Sequence, residues 1–295
     1  MKVPIVRKLS WGWCVVLFAS LTAPGAAGQG GTGTPQPQSA STDLGELYDL
    51  HPAPFIRKFA REEYAIWTSP FRKSSYQSHV LTKYVVPFLA ISGILIATDT
   101  RTANALPNTT DQTRWSGRVS QLGAGYTLAG FSGLTFLVGH LAKDNHAKET
   151  GLLALEALAH TEVVTFSVKQ ITNRTRPVDN DQKAGFWKGG DSFPSGHASS
   201  SFAVATVFAY EYRDHVAVPI AAYTLASLIS ASRLSARRHW FSDIFVGGST
   251  GFLLGRYVYK KHHDSSLPGS PVRRTDRWKP DLQVAGSGVA LGWTF

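Results

Sequence analysis

The sequence predicts an all-α protein, a helical bundle of about six core helices. Three observations predict it. Six apolar stretches follow one another between residues 84 and 259, separated by polar or glycine-rich segments. Few of them show the β-branched alternation that marks strands. Apolar residues make up 43% of the chain and charged residues only 17%, which fills a core and argues against a disordered bulk.

The 295-residue chain opens with a signal-peptide pattern over residues 1–28. Lys2, Arg7 and Lys8 precede a short apolar core, Trp11 to Leu21, and then the small residues of Ala23 to Gly28. Cleavage near Ala26-Ala27-Gly28 takes away three cations, so the net charge falls from +10 to +7. It also takes away Cys14, the only cysteine, and with it disulfide or thiolate chemistry. Residues 29–42, rich in Gly, Pro, Gln and Ser, read as a flexible linker. Residues 43–83 read as an amphipathic helical segment. Phe55, Phe59, Ile66 and Trp67 lie along one face, with Arg57, Arg61 and Glu62 elsewhere. Packing on the protein's own core is expected ahead of a membrane surface.

The six stretches are Tyr84–Thr98, Leu122–Ala142, Gly151–Val168, Ala198–Tyr210, Val216–Ser232 and Ile244–Tyr259. They fall in one domain, residues 84–260. A membrane span needs about 20 mostly apolar residues. Tyr84–Thr98 and Val216–Ser232 are apolar enough. Ala198–Tyr210 is short, and Gly151–Val168 carries Glu156, His160 and Glu162, which are costly in lipid. Residues 261–295 form a basic tail. Val289, Leu291, Trp293 and Phe295 alternate with small or polar residues, as in a strand without a visible partner.

The positive charge points to anionic partners, and no basic-aromatic nucleic-acid motif accompanies it. Three clusters carry chemistry. Lys169-Gln-Ile-Thr-Asn-Arg-Thr-Arg176-Pro177 ends the third stretch. Pro194-Ser195-Gly196-His197 opens the fourth. Ser232-Arg233, five residues, His239, three residues and Asp243 lead into the sixth. Lys169, Arg176 and Arg233 supply cations suited to phosphate oxygens. Ser195-Gly196 at a helix start offers backbone N–H groups and a close approach. His239 and Asp243 share a helical face, so the carboxylate can accept one ring N–H and leave the other nitrogen free to attack. His197 supplies a second imidazole for proton transfer. Each piece has a bland reading in isolation. Ser195 could be a plain N-cap, Lys169, Arg174 and Arg176 could be basic residues beyond a helix end, and the His–Asp pair could cap or solubilise a helix.

Together the clusters resemble the three-part signature of the type 2 phosphatidic acid phosphatase and vanadium haloperoxidase superfamily: Lys-x6-Arg-Pro, Pro-Ser-Gly-His and Ser-Arg-x5-His-x3-Asp. The resemblance implies a helical bundle with His239 as nucleophile, Asp243 orienting it, and His197 as general acid and then base. It implies that Lys169, Arg176, Ser195, Gly196 and Arg233 hold the phosphoryl oxygens. No catalytic metal or cofactor is expected, and vanadate should bind as an inhibitor. One stretch departs from common members. Where many carry Tyr and Gly within residues 234–238, this chain reads Leu-Ser-Ala-Arg-Arg. Arg237 and Arg238 could hold a larger anionic head group or face solvent.

The expected function is hydrolysis of phosphomonoesters or diphosphates through a phosphohistidine. Lipid phosphates such as phosphatidic acid or polyprenyl diphosphate are the leading substrates. A non-specific acid phosphatase on small soluble esters is the alternative, with a vanadium haloperoxidase behind it. A membrane surface is an expected partner and nucleic acid is not; no feature sets an oligomeric state. A cleaved signal, six full spans and an external site cannot all hold, because parity puts the third span's end inside. The spans are the weakest member. The reading is therefore an exported, membrane-associated protein with helices largely buried against one another, and a multi-pass inner-membrane protein with an external site is the alternative.

Overall fold

The computed structural model describes residues 52–69, 72, 80–178 and 184–271, together with the backbone of 281–285 and 288–292. The signal peptide, the linker and Cys14 lie outside the described residues. The described chain folds as an all-α bundle. Helix α1 spans Pro52–Thr68, and α2 spans Val86–Ala105 after a π-turn at Leu81–Val85. Then follow α3 (Thr110–Ser120), α4 (Gly125–Ala142), α5 (Asn145–Thr172), α6 (Gly196–Glu211), α7 (Ala217–Ser235) and α8 (Phe241–His262).

All six apolar stretches are helices, and α1 joins them. The sequence reading passed over α3, whose segment TDQTRWSGRVS is too polar to signal a buried face. Its start is nonetheless encoded: Thr109 accepts a hydrogen bond from the Gln112 N–H at 3.3 Å, and Asp111 sits in the first turn. The tail strand has a partner. Asp281–Ala285 (β1) pairs antiparallel with Gly288–Gly292 (β2), with Leu282 opposite Leu291.

The core lies where α5, α6 and α8 meet, around Leu153, Ala154, Ala157, Ala203, Val207 and Val258. Helices α6 and α8 pack most closely. Gly247, Gly251 and Gly255 line the α8 face against α6 at four-residue spacing, so the two backbones nearly touch. A Cβ at Gly251 would lie 1.9 Å from the Ser199 carbonyl oxygen. This contact sets the N-terminus of α6 against that of α8, where two of the three motif clusters sit.

Helix α1 packs on the protein, as expected. Ile66 enters a core cluster with Val164, Val168 and Leu254. Phe59 stacks on His160 at 4.3 Å between ring centroids. His160 lies between Glu63 (2.7 Å) and Glu62 (3.1 Å), and Glu62 also meets Lys261 at 3.1 Å and His262 at 3.0 Å. Glu156 meets Lys58 at 3.5 Å. Glu156 and His160, which weighed against α5 as a span, therefore turn inward onto partners from α1 and α8, while the exposed Glu162 accepts from Ser200 Oγ of α6 at 2.6 Å.

The outward faces are different. Leu89, Ile91 and Ile94 on α2, Leu134 and Leu141 on α4, and Ile220 and Leu228 on α7 are exposed. Apolar area on this scale marks contact with an apolar phase, and the protein is membrane-associated. Three helices are long and apolar enough to cross a membrane: α2 with its leading turn, α5 and α7. The bent pair α3–α4 makes a fourth if it counts as one span. Helices largely buried against one another, the expectation from sequence, are found in α6 and α8 but not in α2 or α7. Those two present apolar side chains outward on most of their length.

Candidate active site

The C-terminal ends of α5 and α7 and the N-terminal ends of α6 and α8 converge at one end of the bundle. All eight residues singled out from the sequence fall there. His239 is 2% exposed, and its Nδ1 lies 2.8 Å from the Ser192 carbonyl oxygen. A carbonyl only accepts, so Nδ1 carries the proton and Nε2 keeps its lone pair. Burial, with Lys169 and Arg233 nearby, outweighs the raising effect of Asp243 and pushes the His239 pKa down to about 4. The imidazole is therefore neutral near pH 7.

Here the structure corrects one detail. Asp243 was expected to accept the ring N–H, but its Oδ2 lies 3.7 Å from Nδ1, beyond hydrogen-bond reach. The Ser192 carbonyl takes that place. Asp243 instead organises the backbone around the histidine. Its Oδ2 accepts from Ser192 Oγ at 2.5 Å and from the Trp240 N–H at 2.9 Å, and its carbonyl accepts from the Ser195 N–H at 3.0 Å. Burial raises its pKa, but His239, Arg174 and Ser192 together hold it below the usual range.

Arg174 is the residue the sequence undervalued. It is fully buried and donates to Asp243 Oδ1 at 2.5 Å, to Ser242 Oγ at 2.7 Å and to Asp99 Oδ2 at 2.6 Å. Its guanidinium lies 4.5 Å from the Phe186 ring centroid and 5.6 Å from that of Trp240. Asp99 in turn accepts from the Ser242 N–H at 3.0 Å. One cation between two buried carboxylates satisfies groups that would otherwise be costly to bury. Arg174 stands inside the six-residue spacer between Lys169 and Arg176, which is the only local signal for it.

The anion-holding groups surround this frame. Arg176 makes a bidentate pair with Asp191, Nε to Oδ1 at 2.7 Å and a terminal nitrogen to Oδ2 at 2.8 Å. That pairing holds the Asp191 pKa down at about 2. Lys169 Nζ donates to the Asp191 carbonyl oxygen. Arg233 donates to Ser120 Oγ at 3.1 Å, which brings the end of α3 to the site. Ser195 occupies the N-cap of α6, yet its side chain makes no cap bond, and its buried Oγ has no hydrogen-bond partner. The plain N-cap reading therefore fails, and the hydroxyl is available to a ligand.

His197 stands in the first turn of α6. Burial and the nearby charges of Arg233, His239, Lys169 and Arg176 push its pKa down to about 3. A cleft of about 360 Å³ opens here, with Arg176, His197, Arg233 and Arg238 on its wall, and Ser120, Gln121 and Tyr126 opposite. Arg238 thus faces the site. Arg237 does not: it is buried and donates to the Leu106 carbonyl at 2.7 Å, tying α7's end to α2's. An apolar groove of about 560 Å³ lies between α4, α6 and α7, with Leu122, Phe131, Val204, Leu225 and Ile229 among its lining. Gln121 of the cleft and Leu122 of the groove are consecutive in one short 3-10 turn, so the two spaces adjoin.

Fold and site together define a helical-bundle protein with a buried, neutral histidine set among cations at one end. Residues 150–266 match the model of the PAP2 superfamily. Lipid A 1-phosphatase of Porphyromonas gingivalis is 41% identical over 70 residues, 23% of this chain and 16% of that protein. Lipid phosphate phosphatase 1 of Arabidopsis thaliana is 30% identical over 152 residues, 41% of this chain and 46% of that one. The chain thus spans less than half the length of these curated relatives. Among solved structures, the transmembrane PAP2-type phosphatidylglycerolphosphate phosphatase from Bacillus subtilis is 20% identical with a TM-score of 0.49, covering 61% of this chain and 98% of that one. Aquifex aeolicus LpxE is 22% identical with a TM-score of 0.41, covering 58% and 94%.

Proposed function

We propose that this protein is a lipid phosphate phosphatase working through a phosphohistidine on His239. The phosphate sits among Lys169, Arg176, Arg233, the Ser195 hydroxyl and the backbone N–H groups at Gly196. His239 Nε2 attacks phosphorus in line, an N–P bond forms, and the bond to the leaving oxygen breaks. His197 gives that oxygen its proton. His197 then takes a proton from water, the water oxygen attacks phosphorus, and the N–P bond breaks to release inorganic phosphate. In the free protein His197 is neutral. The substrate's negative charge offsets the surrounding cations and lifts its pKa, so His197 gains its proton with the substrate. Fixed charges around the phosphoryl oxygens do most of the work, and no step requires a metal or cofactor. Vanadate should inhibit as a mimic of the five-coordinate transition state.

The observation that carries the lipid reading is the apolar groove adjoining the cationic cleft. It offers an acyl or prenyl chain a path beside the phosphate. The names of the two relatives, a lipid A 1-phosphatase and a lipid phosphate phosphatase, agree. A Leu225→Glu substitution in the groove tests it. Turnover of phosphatidic acid or a polyprenyl diphosphate should fall roughly 10-fold, the effect of losing one buried aliphatic contact. Hydrolysis of a small soluble ester should hold. Equal effects on both substrates would favour the non-specific acid phosphatase, and bromide oxidation with added vanadate and peroxide would favour the haloperoxidase.

The site faces the extracytoplasmic side in this proposal. Two arrangements deliver it there: a cleaved signal with helices that dock without crossing, or a retained N-terminus with α2 crossing toward the site. The exposed apolar face of α2 favours the second. N-terminal sequencing of the purified protein separates them. A terminus near Gln29 with carbonate release supports the first, and Met1 with detergent-only extraction supports the second.

A further inference from the structure

At the end of the bundle remote from His239, three other helix ends meet. His146 and Glu149 come from the first turns of α5, Glu211 is the last residue of α6, and His263 follows α8. Glu149 and Glu211 are 0% and 1% exposed. His263 Nδ1 lies 3.1 Å from Glu211 Oε1 and 3.6 Å from Glu149 Oε2, and His146 Nε2 lies 3.0 Å from Glu211 Oε2. The Asp264 N–H donates to Glu149 Oε1 at 2.6 Å, which leaves Oε2 turned to the cluster. That Oε2 is buried and accepts no hydrogen bond. Among the described residues no lysine or arginine pairs with either carboxylate.

We propose that Glu149, Glu211 and His263 bind one zinc-like divalent cation that clamps these helix ends, while His146 holds Glu211 by its other oxygen. Metal–ligand bonds of about 2.0–2.2 Å in a tetrahedral site put neighbouring ligand atoms roughly 3.4 Å apart. The separations from His263 Nδ1 to Glu211 Oε1 and Glu149 Oε2 fall around that value, and the three ligand atoms all lie within 4.8 Å of one another. An imidazole with two carboxylates suits zinc, whereas calcium and magnesium take oxygen donors. Three protein ligands on three helix ends leave the fourth tetrahedral position to water. The Asp264 N–H supplies the outer hydrogen bond that orients a ligating carboxylate.

The bundle's other buried Glu–His cluster shows what an ion-pair network looks like instead. There Lys261 and Lys58 sit on Glu62 and Glu156, and both ring nitrogens of His160 face glutamates. His160 therefore keeps no ring nitrogen for a cation. The proposed site could not be read as a spacing motif, because its three ligands come from three helix ends far apart in sequence. Along α5, His146 and Lys169 are separated by about 35 Å at 1.5 Å per residue. The clamp therefore takes no part in the metal-free reaction proposed for His239.

The test uses the full chain in detergent, purified without a polyhistidine tag and stripped with a chelator. Zinc chloride should load one ion per chain by elemental analysis. It should raise the unfolding temperature by roughly 5–10 °C at free zinc about 100-fold above Kd. Magnesium should not. Phosphatase turnover should stay within about twofold. The near-isosteric E149Q and E211Q should weaken zinc binding by roughly 100-fold or more, since even outer-shell losses cost 10–100-fold. Glu62→Gln, in the other cluster, should leave zinc binding unchanged. Wild-type protein that neither retains zinc nor gains thermal stability from it would overturn the proposal, as would zinc lost in Glu62→Gln and kept in E149Q.

Discussion

Replacing Gly251 by alanine should damage the enzyme more than any other single methyl group added to α8. The new Cβ would lie 1.9 Å from the Ser199 carbonyl oxygen, where real contacts do not come below 3.0 Å. The opposing atom is helix backbone, so no side chain can swing aside. Helices α6 and α8 must part by at least about 1.1 Å locally. Overpacking of this kind costs about 1–3 kcal/mol, against which alanine's better helix propensity returns up to about 1 kcal/mol. The catalytic effect should be larger than the stability effect. Ser195 and His197 ride on α6, His239 and Asp243 on the start of α8, and a 1 Å misplacement can cost about 100-fold in rate. The assay is initial-rate hydrolysis of a soluble ester beside thermal unfolding in detergent. Gly93→Ala is the control, because a Cβ there meets nothing within 4 Å. It should be neutral or slightly stabilising. Wild-type turnover and unfolding temperature in Gly251→Ala would refute the claim that close α6–α8 contact sets the site.

Five further outcomes are expected. Asp243→Asn should lower kcat by roughly 100-fold, because it weakens the hold on Ser192 and on the Trp240 N–H that places the His239 ring. Arg174→Met, which leaves Asp99 and Asp243 facing without their shared cation, should cost about 3–5 kcal/mol in unfolding measurements, with Asp99→Asn/Arg174→Met recovering part of it. With His239 depressed to about 4 and His197 gaining its proton only with the substrate, kcat/KM should rise as pH falls from 7 and drop only as His239 itself takes a proton near pH 4. Stability should decline over a wider window, from about 6.5 down through 4, because unfolded imidazoles take up protons that buried His239 and His197 refuse. Arg238→Ala should raise KM for an anionic lipid head group a few-fold and leave kcat nearly unchanged, since Arg238 lines the cleft without touching His239's frame.

The motif residues were legible because each cluster is local. Lys169 to Arg176, Ser195 to His197 and Arg233 to Asp243 each lie at one helix end, and spacing alone suggests a phosphate cradle. What holds them was not legible. Ser192 and Arg174 reach Asp243, and Asp99 reaches Arg174, from three separate segments, and Ser192 contributes a backbone carbonyl that no side-chain pattern announces. Hydropathy found the apolar helices and passed over α3, whose value lies in bringing Ser120 to Arg233. It also misjudged α5, because Glu156 and His160 are expensive only if they face lipid, and α1 and α8 supply partners that keep them inside. The lone tail strand needed β1, which carries no strong alternation of its own.

The central claim is that a neutral His239, held by Ser192 and surrounded by cations, becomes covalently phosphorylated. Rapid acid-free quenching of wild-type protein with radiolabelled phosphatidic acid, followed by peptide mapping, tests it directly. The account predicts one acid-labile, base-stable phosphoryl group on His239, absent in His239→Ala together with turnover. A label on another residue, or unimpaired turnover by His239→Ala, would contradict it.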